Sequence, residues 1–80
     1  MHDPDIIRQI GELTDQERRL EEAHRGEGLS PEDHEELVRL EVTLDQLWDL
    51  LRQRRALRDA GQDPEQAHQR PAAVVEHYQQ

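Results

Sequence analysis

Gly26-Glu27-Gly28-Leu29-Ser30-Pro31 reads as a helix stop followed by a helix start. A glycine supplies the left-handed residue that ends one helix, and Ser30 caps the next, with Pro31 at its first position. Outward from this turn, apolar residues recur on both sides. Ile6, Ile10, Leu13, Glu17, Leu20 and His24 alternate steps of four and three, and so do His34, Leu37, Glu41, Leu44, Trp48 and Leu51. Such spacing puts each set on one side of an α-helix. The reading is all-α: an antiparallel helical hairpin of coiled-coil character. Its layers are His24–His34, Leu20–Leu37, Glu17–Glu41, Leu13–Leu44, Ile10–Trp48 and Ile6–Leu51.

The remaining boundaries follow from caps. Asp3-Pro4 opens helix 1 with Asp3 as N-cap, so helix 1 is expected over about 4–25, the turn over 26–30 and helix 2 over about 31–60. Gly61 ends helix 2. Asp63-Pro64 repeats the capping device and starts a short helix over about 64–69. Pro71 stops it, and residues 71–80 form a turn of helix or an extended arm.

Helix 2 also carries Leu40, Leu47 and Leu50, which widen its apolar band beyond what one neighbouring helix covers. The tail or a second copy must cover them. The expectation is a homodimer that forms a four-helix bundle, with Leu40, Leu47, Trp48 and Leu50 at the interface. An 80-residue chain makes one domain, and a core this small gains from a partner.

Composition narrows the classes. The formal net charge is −9, which disfavours nucleic acid and anionic membrane. No apolar run is long enough to span a bilayer, and the acidic Met1-His2-Asp3-Pro4-Asp5 lacks the form of a signal peptide. A cytoplasmic protein is expected. There is no cysteine, hence no disulfide, thiolate metal site or catalytic thiol. The one serine, Ser30, has a capping role, and Thr14 and Thr43 have no base beside them at helical spacing. There is no P-loop, dinucleotide glycine pattern or EF-hand loop. No enzyme activity and no cofactor are expected.

Two constellations stand out. Glu17 opposite Glu41 places two carboxylates at one seam, and neither has an arginine three or four positions away. The structural reading is a polar layer that sets register, satisfied by water or by arginines of a neighbour. The alternative is a metal-binding bundle using Glu17, His24, His34 and Glu41, because Glu21-Glu22-Ala23-His24 has the Glu-x-x-His spacing of carboxylate bundles. No metal is expected on balance, since that spacing arises readily by chance in an acidic helix.

Arg52, Arg54, Arg55 and Arg58 form the only basic cluster, following a stretch (26–51) with eight acidic groups against one arginine. Cations near a helix C-terminus suit its dipole. Their alternative role is docking on an acidic or nucleic-acid-containing assembly, the nucleic-acid version being weakened by the lack of nearby aromatic residues for stacking. Helix 1 is expected to have run out at Arg55 and Arg58. The tail should therefore fold back there, with Glu76 or the terminal carboxylate as acceptors and Val74, Val75 and Tyr78 on Leu50 and Leu57.

The run Leu44-Asp45-Gln46-Leu47-Trp48-Asp49-Leu50-Leu51-Arg52-Gln53-Arg54-Arg55-Ala56-Leu57-Arg58 resembles a small family of actinobacterial proteins, catalogued as domain of unknown function 2630. So do Gly61-Gln62-Asp63-Pro64, Arg70-Pro71 and Val75-Glu76-His77-Tyr78. The resemblance covers nearly the whole chain. It implies a complete, short, acidic, cytosolic helical protein without an assigned activity, and it carries over no site residues. The resemblance does not choose among these roles; the residues themselves point to a non-enzymatic, self-associating interaction or structural module.

Overall fold

A computed structural model describes residues 2–23 and 28–75. Two long helices, α1 (Asp3–Ala23) and α2 (Pro31–Asp59), pack against each other. A 3-10 turn, η1 (Pro64–Gln66), and a one-turn helix, α3 (Ala72–Val75), both pack on α2. The fold is therefore an all-α hairpin with a returning tail.

Local chemistry sets the ends. The Ser30 hydroxyl accepts from the Asp33 amide at 3.2 Å, and Glu32 and Asp33 face the positive end of the α2 dipole. At the other end Gly61 has φ +74°, Gly61 N–H donates to the Arg58 carbonyl, and Gln62 N–H donates to the Leu57 carbonyl. This double closure needs the left-handed residue that glycine adopts without strain. Asp63 caps η1 by accepting from the Glu65 amide at 2.9 Å.

The start of α1 differs from the expected cap. The His2 carbonyl accepts from the amides of Asp5 and Ile6, so Asp3 lies inside the helix and its side chain is released for other work.

The core also sits one position around α2 from the expected seam. Ile6 and Ile10 of α1 cluster with Leu44, Leu47 and Leu50, and Leu13, Leu51 and Ala67 lie at the edge. Leu40, Leu44, Leu47, Leu51 and Arg54 recur at steps of four and three, and this stripe turns inward. It places leucine at four levels, whereas the stripe through Glu41 and Trp48 would bury a carboxylate. Trp48, expected opposite Ile10, is accordingly 45% exposed, and Glu41 is exposed.

The extra leucines have cover within the chain. Leu40, Leu47 and Leu50 are buried, with Ala67 of the tail against the cluster. The tail folds back along α2 with Ala67 on the cluster that holds Leu47 and Leu50, while Leu40 lies beside Leu20 and Ala23 of α1, so the three leucines expected at a dimer interface are already covered within the chain. Of the tail residues expected to pack there, Val75 is buried and Val74 is half exposed, while Glu76, Tyr78 and the terminal carboxylate lie outside the described residues.

Candidate functional site

The arginine end is built around Asp3. Arg54 is only 5% exposed. Its Nε donates to Asp3 Oδ1, and its two terminal nitrogens donate to the Pro64 carbonyl and to Glu65, each at 3.3 Å. Arg58 donates to the second Asp3 oxygen at 2.6 Å. Asp3 lies three residues before Ile6, so the α1 stripe reaches this level after all. The expected need for acceptors from the tail or a partner is met for Arg58 by α1. Arg54, a candidate docking residue by sequence, is instead a clamp that joins α1, α2 and η1.

Those two guanidinium groups, Arg58 first and Arg54 second, pull the Asp3 carboxyl down to about 2. A carboxyl held lower in the folded than in the unfolded state contributes stability that is complete above its ordinary value near 3.8 and is lost as pH falls toward about 2. Asp3→Asn should therefore lower the melting temperature at neutral pH and flatten its loss between these values. A melting curve whose acid limb is unchanged by the substitution would exclude Asp3 as its source.

On the side of the α1–α2 pair away from the tail lies an open groove of about 380 Å³. Ile7, Trp48 and Leu51 form its apolar floor, and Arg52, Arg55 and Arg58 stand along it. Ile7 is 58% exposed and Trp48 45%, a rare pairing of large apolar groups in a chain this polar. Of the four arginines expected to dock a partner, three line this groove and Arg54 does not.

The tail-covered flank holds the residues that sequence reasoning missed. Asp49 has no solvent exposure. Arg70 grips it with two hydrogen bonds, Nε at 2.9 Å and a terminal nitrogen at 2.6 Å, and Gln53 adds a third at 2.8 Å. Burial by itself pushes the Asp49 carboxyl up. The hydrogen bonds from Arg70 and Gln53 and the charges of Arg70 and Arg52 outweigh it, and the carboxyl is held below its ordinary range.

Either side of Asp49, glutamines bind the tail backbone. Gln53 donates to the His68 carbonyl at 2.7 Å, and Gln46 donates to the Arg70 carbonyl at 3.2 Å. Gln46, Asp49 and Gln53 recur at steps of three and four, so a polar stripe beside the leucines was the available signal. It docks an extended segment, which explains why the helix expected over 64–69 ends as a 3-10 turn at Gln66 and Ala67 is extended.

At the turn end, Glu17 and Glu41 come close enough to interact. Burial first, then Glu21 and Glu41, raise the Glu17 carboxyl. A raised value means that ionising Glu17 works against the fold as pH rises through it. Glu17→Gln should stabilise dilute protein at neutral pH by about 0.2–0.5 kcal/mol, the scale of a like-charge pair. The gain should vanish in acid, where the wild-type carboxyl is protonated. Lower stability at neutral pH would show instead that a cation depends on Glu17. Among the described residues no three His, Asp or Glu side chains are grouped to hold a metal ion; His34 and Glu41 are exposed, and His24 lies outside them.

Over residues 2–80 the chain matches the family described as "Protein of unknown function (DUF2630)". It belongs to this family. Uncharacterised proteins of Mycobacterium bovis and of two strains of Mycobacterium tuberculosis are each 47% identical to it over 77 residues, which is 95% of this chain and 88% of theirs. No solved structure matches it. The family has no assigned function. Among the described residues no helix is long and apolar enough to cross a membrane.

Proposed function

We propose that this family member is a non-enzymatic, cytoplasmic protein-interaction module that binds through the groove between α1 and α2. The carrying observation is Trp48, half exposed beside Ile7 on an apolar floor flanked by arginines. Tryptophan and arginine are the side chains that most often anchor a protein interface, the first by apolar area and the second by bidentate bonding. The scaffold is suited to hold them, because Arg54 ties both helices and η1 together through Asp3, which itself lines the groove. Ser30, the single hydroxyl of its kind, is spent on the α2 cap.

A photoreactive phenylalanine placed at Ile7 tests the reading in cells of the native host. A discrete crosslinked protein band is expected, lost when Trp48 is also replaced by alanine. The same probe at exposed Glu12, on a different side of α1, should give none. Equal labelling from both positions, or none from either, would refute the groove as a docking face.

A further inference from the structure

Around Trp48 the charges of α2 reverse in order. Glu41, Asp45, Trp48, Arg52 and Arg55 follow at steps of four, three, four and three, which places all five on one face of the helix. Two acids precede the tryptophan and two arginines follow it. We propose that the occupant of the Trp48 groove is a second copy of this chain, related by a two-fold axis through the Trp48 level, with the two α2 helices antiparallel. This rests on the reading of that flank as a docking face.

Rotation about such an axis sets Glu41 of each copy beside Arg55 of the other. It sets Asp45 beside Arg52 of the other copy within one residue. A two-fold contact uses one patch twice, so the patch must complement itself, and this one does. A parallel arrangement would put acid on acid and arginine on arginine, a mismatch that suppresses association. Asp45 and Arg52 also interact within their own chain. The outer pair, Glu41 with Arg55 of the other copy, is therefore the one that fixes the arrangement.

Two further features agree. Glu17 and Glu41 meet without an arginine three or four positions away on either helix. An arginine from the other copy would supply the missing cation at that layer. The opposite flank of α2 is taken by the tail, and the Trp48 side is left open to a second hairpin. Joining there buries Trp48, Ile7 and Leu51 at the centre and rims them with charge pairs, the usual anatomy of a stable contact.

Sedimentation of the full chain over a range of concentrations, with circular dichroism to confirm folding, tests this. The expected wild-type species has twice the 9.4 kDa chain mass. Arg55→Glu and Glu41→Arg should each weaken association about tenfold or more, by setting like charges together. The double variant, which reverses the order of the charges, should restore it. Arg55→Ala should fall between.

A 9.4 kDa species at every concentration would overturn the inference, and so would a dimer indifferent to Arg55→Glu or a double variant no better than the single ones. If the chain stays single while the probe at Ile7 still captures one foreign protein, the second copy is refuted and the docking face stands. If the probe captures nothing and no dimer forms, both fall.

Discussion

Arg70→Ala should destabilise the fold by about 3 kcal/mol, the scale seen when one partner of a buried ion pair is removed. In a domain of this size that is a fall in melting temperature of roughly 15 °C. Asp49 has no exposure, and without Arg70 its only described hydrogen bond is the one from Gln53. The charge would then sit beneath the tail uncompensated. A cost below about 1 kcal/mol would instead mark the pair as an exposed surface bridge.

The pH dependence gives a second readout with opposite signs. In the wild type the Asp49 carboxyl is held low, so its contribution is lost only in acid. In the Arg70→Ala variant, burial is left to act with little opposition and the carboxyl should rise. The variant should then gain stability as pH falls from neutrality, because the neutral acid is easier to bury. Replacing both partners, as Asp49→Leu with Arg70→Met, should recover most of the loss, since an apolar pair needs no compensation. The double-mutant cycle separates this coupling from simple loss of packing.

The hairpin itself was legible because its signals are local. Ser30, Pro31, Gly61 and Asp63 each act on backbone groups within a few residues, and sequence spacing carries that directly. What was not legible depended on choices between equivalent local readings. Asp3 fits the N-cap of α1 and equally fits the α1 stripe one step before Ile6; the two arginines of α2 decide for the stripe. Residues 64–69 begin as a capped helix, but the carbonyls of His68 and Arg70 are claimed by glutamines some fifteen to twenty-four positions away. No local rule sees a partner at that distance. The same holds for Asp49, whose acidic side chain on a charged helix reads as solvated until Arg70 covers it.

The register of α2 is the other such choice, and it makes the last large prediction. Leu47 and Trp48 are adjacent, and each begins a plausible stripe. With Leu47 2% exposed and Trp48 45% exposed, Leu47→Ala should cost about 3 kcal/mol, from lost burial and the cavity left among Ile6, Ile10 and Leu44. Trp48→Ala should cost about 1 kcal/mol, because much of the ring is already in water and its removal leaves no closed void. Both are to be measured by urea denaturation in the Arg55→Glu background, so that loss of association at the Trp48 face does not enter. The smaller residue should thus matter more to folding, while the larger one matters to binding. If Trp48→Ala proves the costlier change in that background, the helix is rotated back toward the Glu41–Trp48 seam. The groove would then close, because its floor would belong to the core.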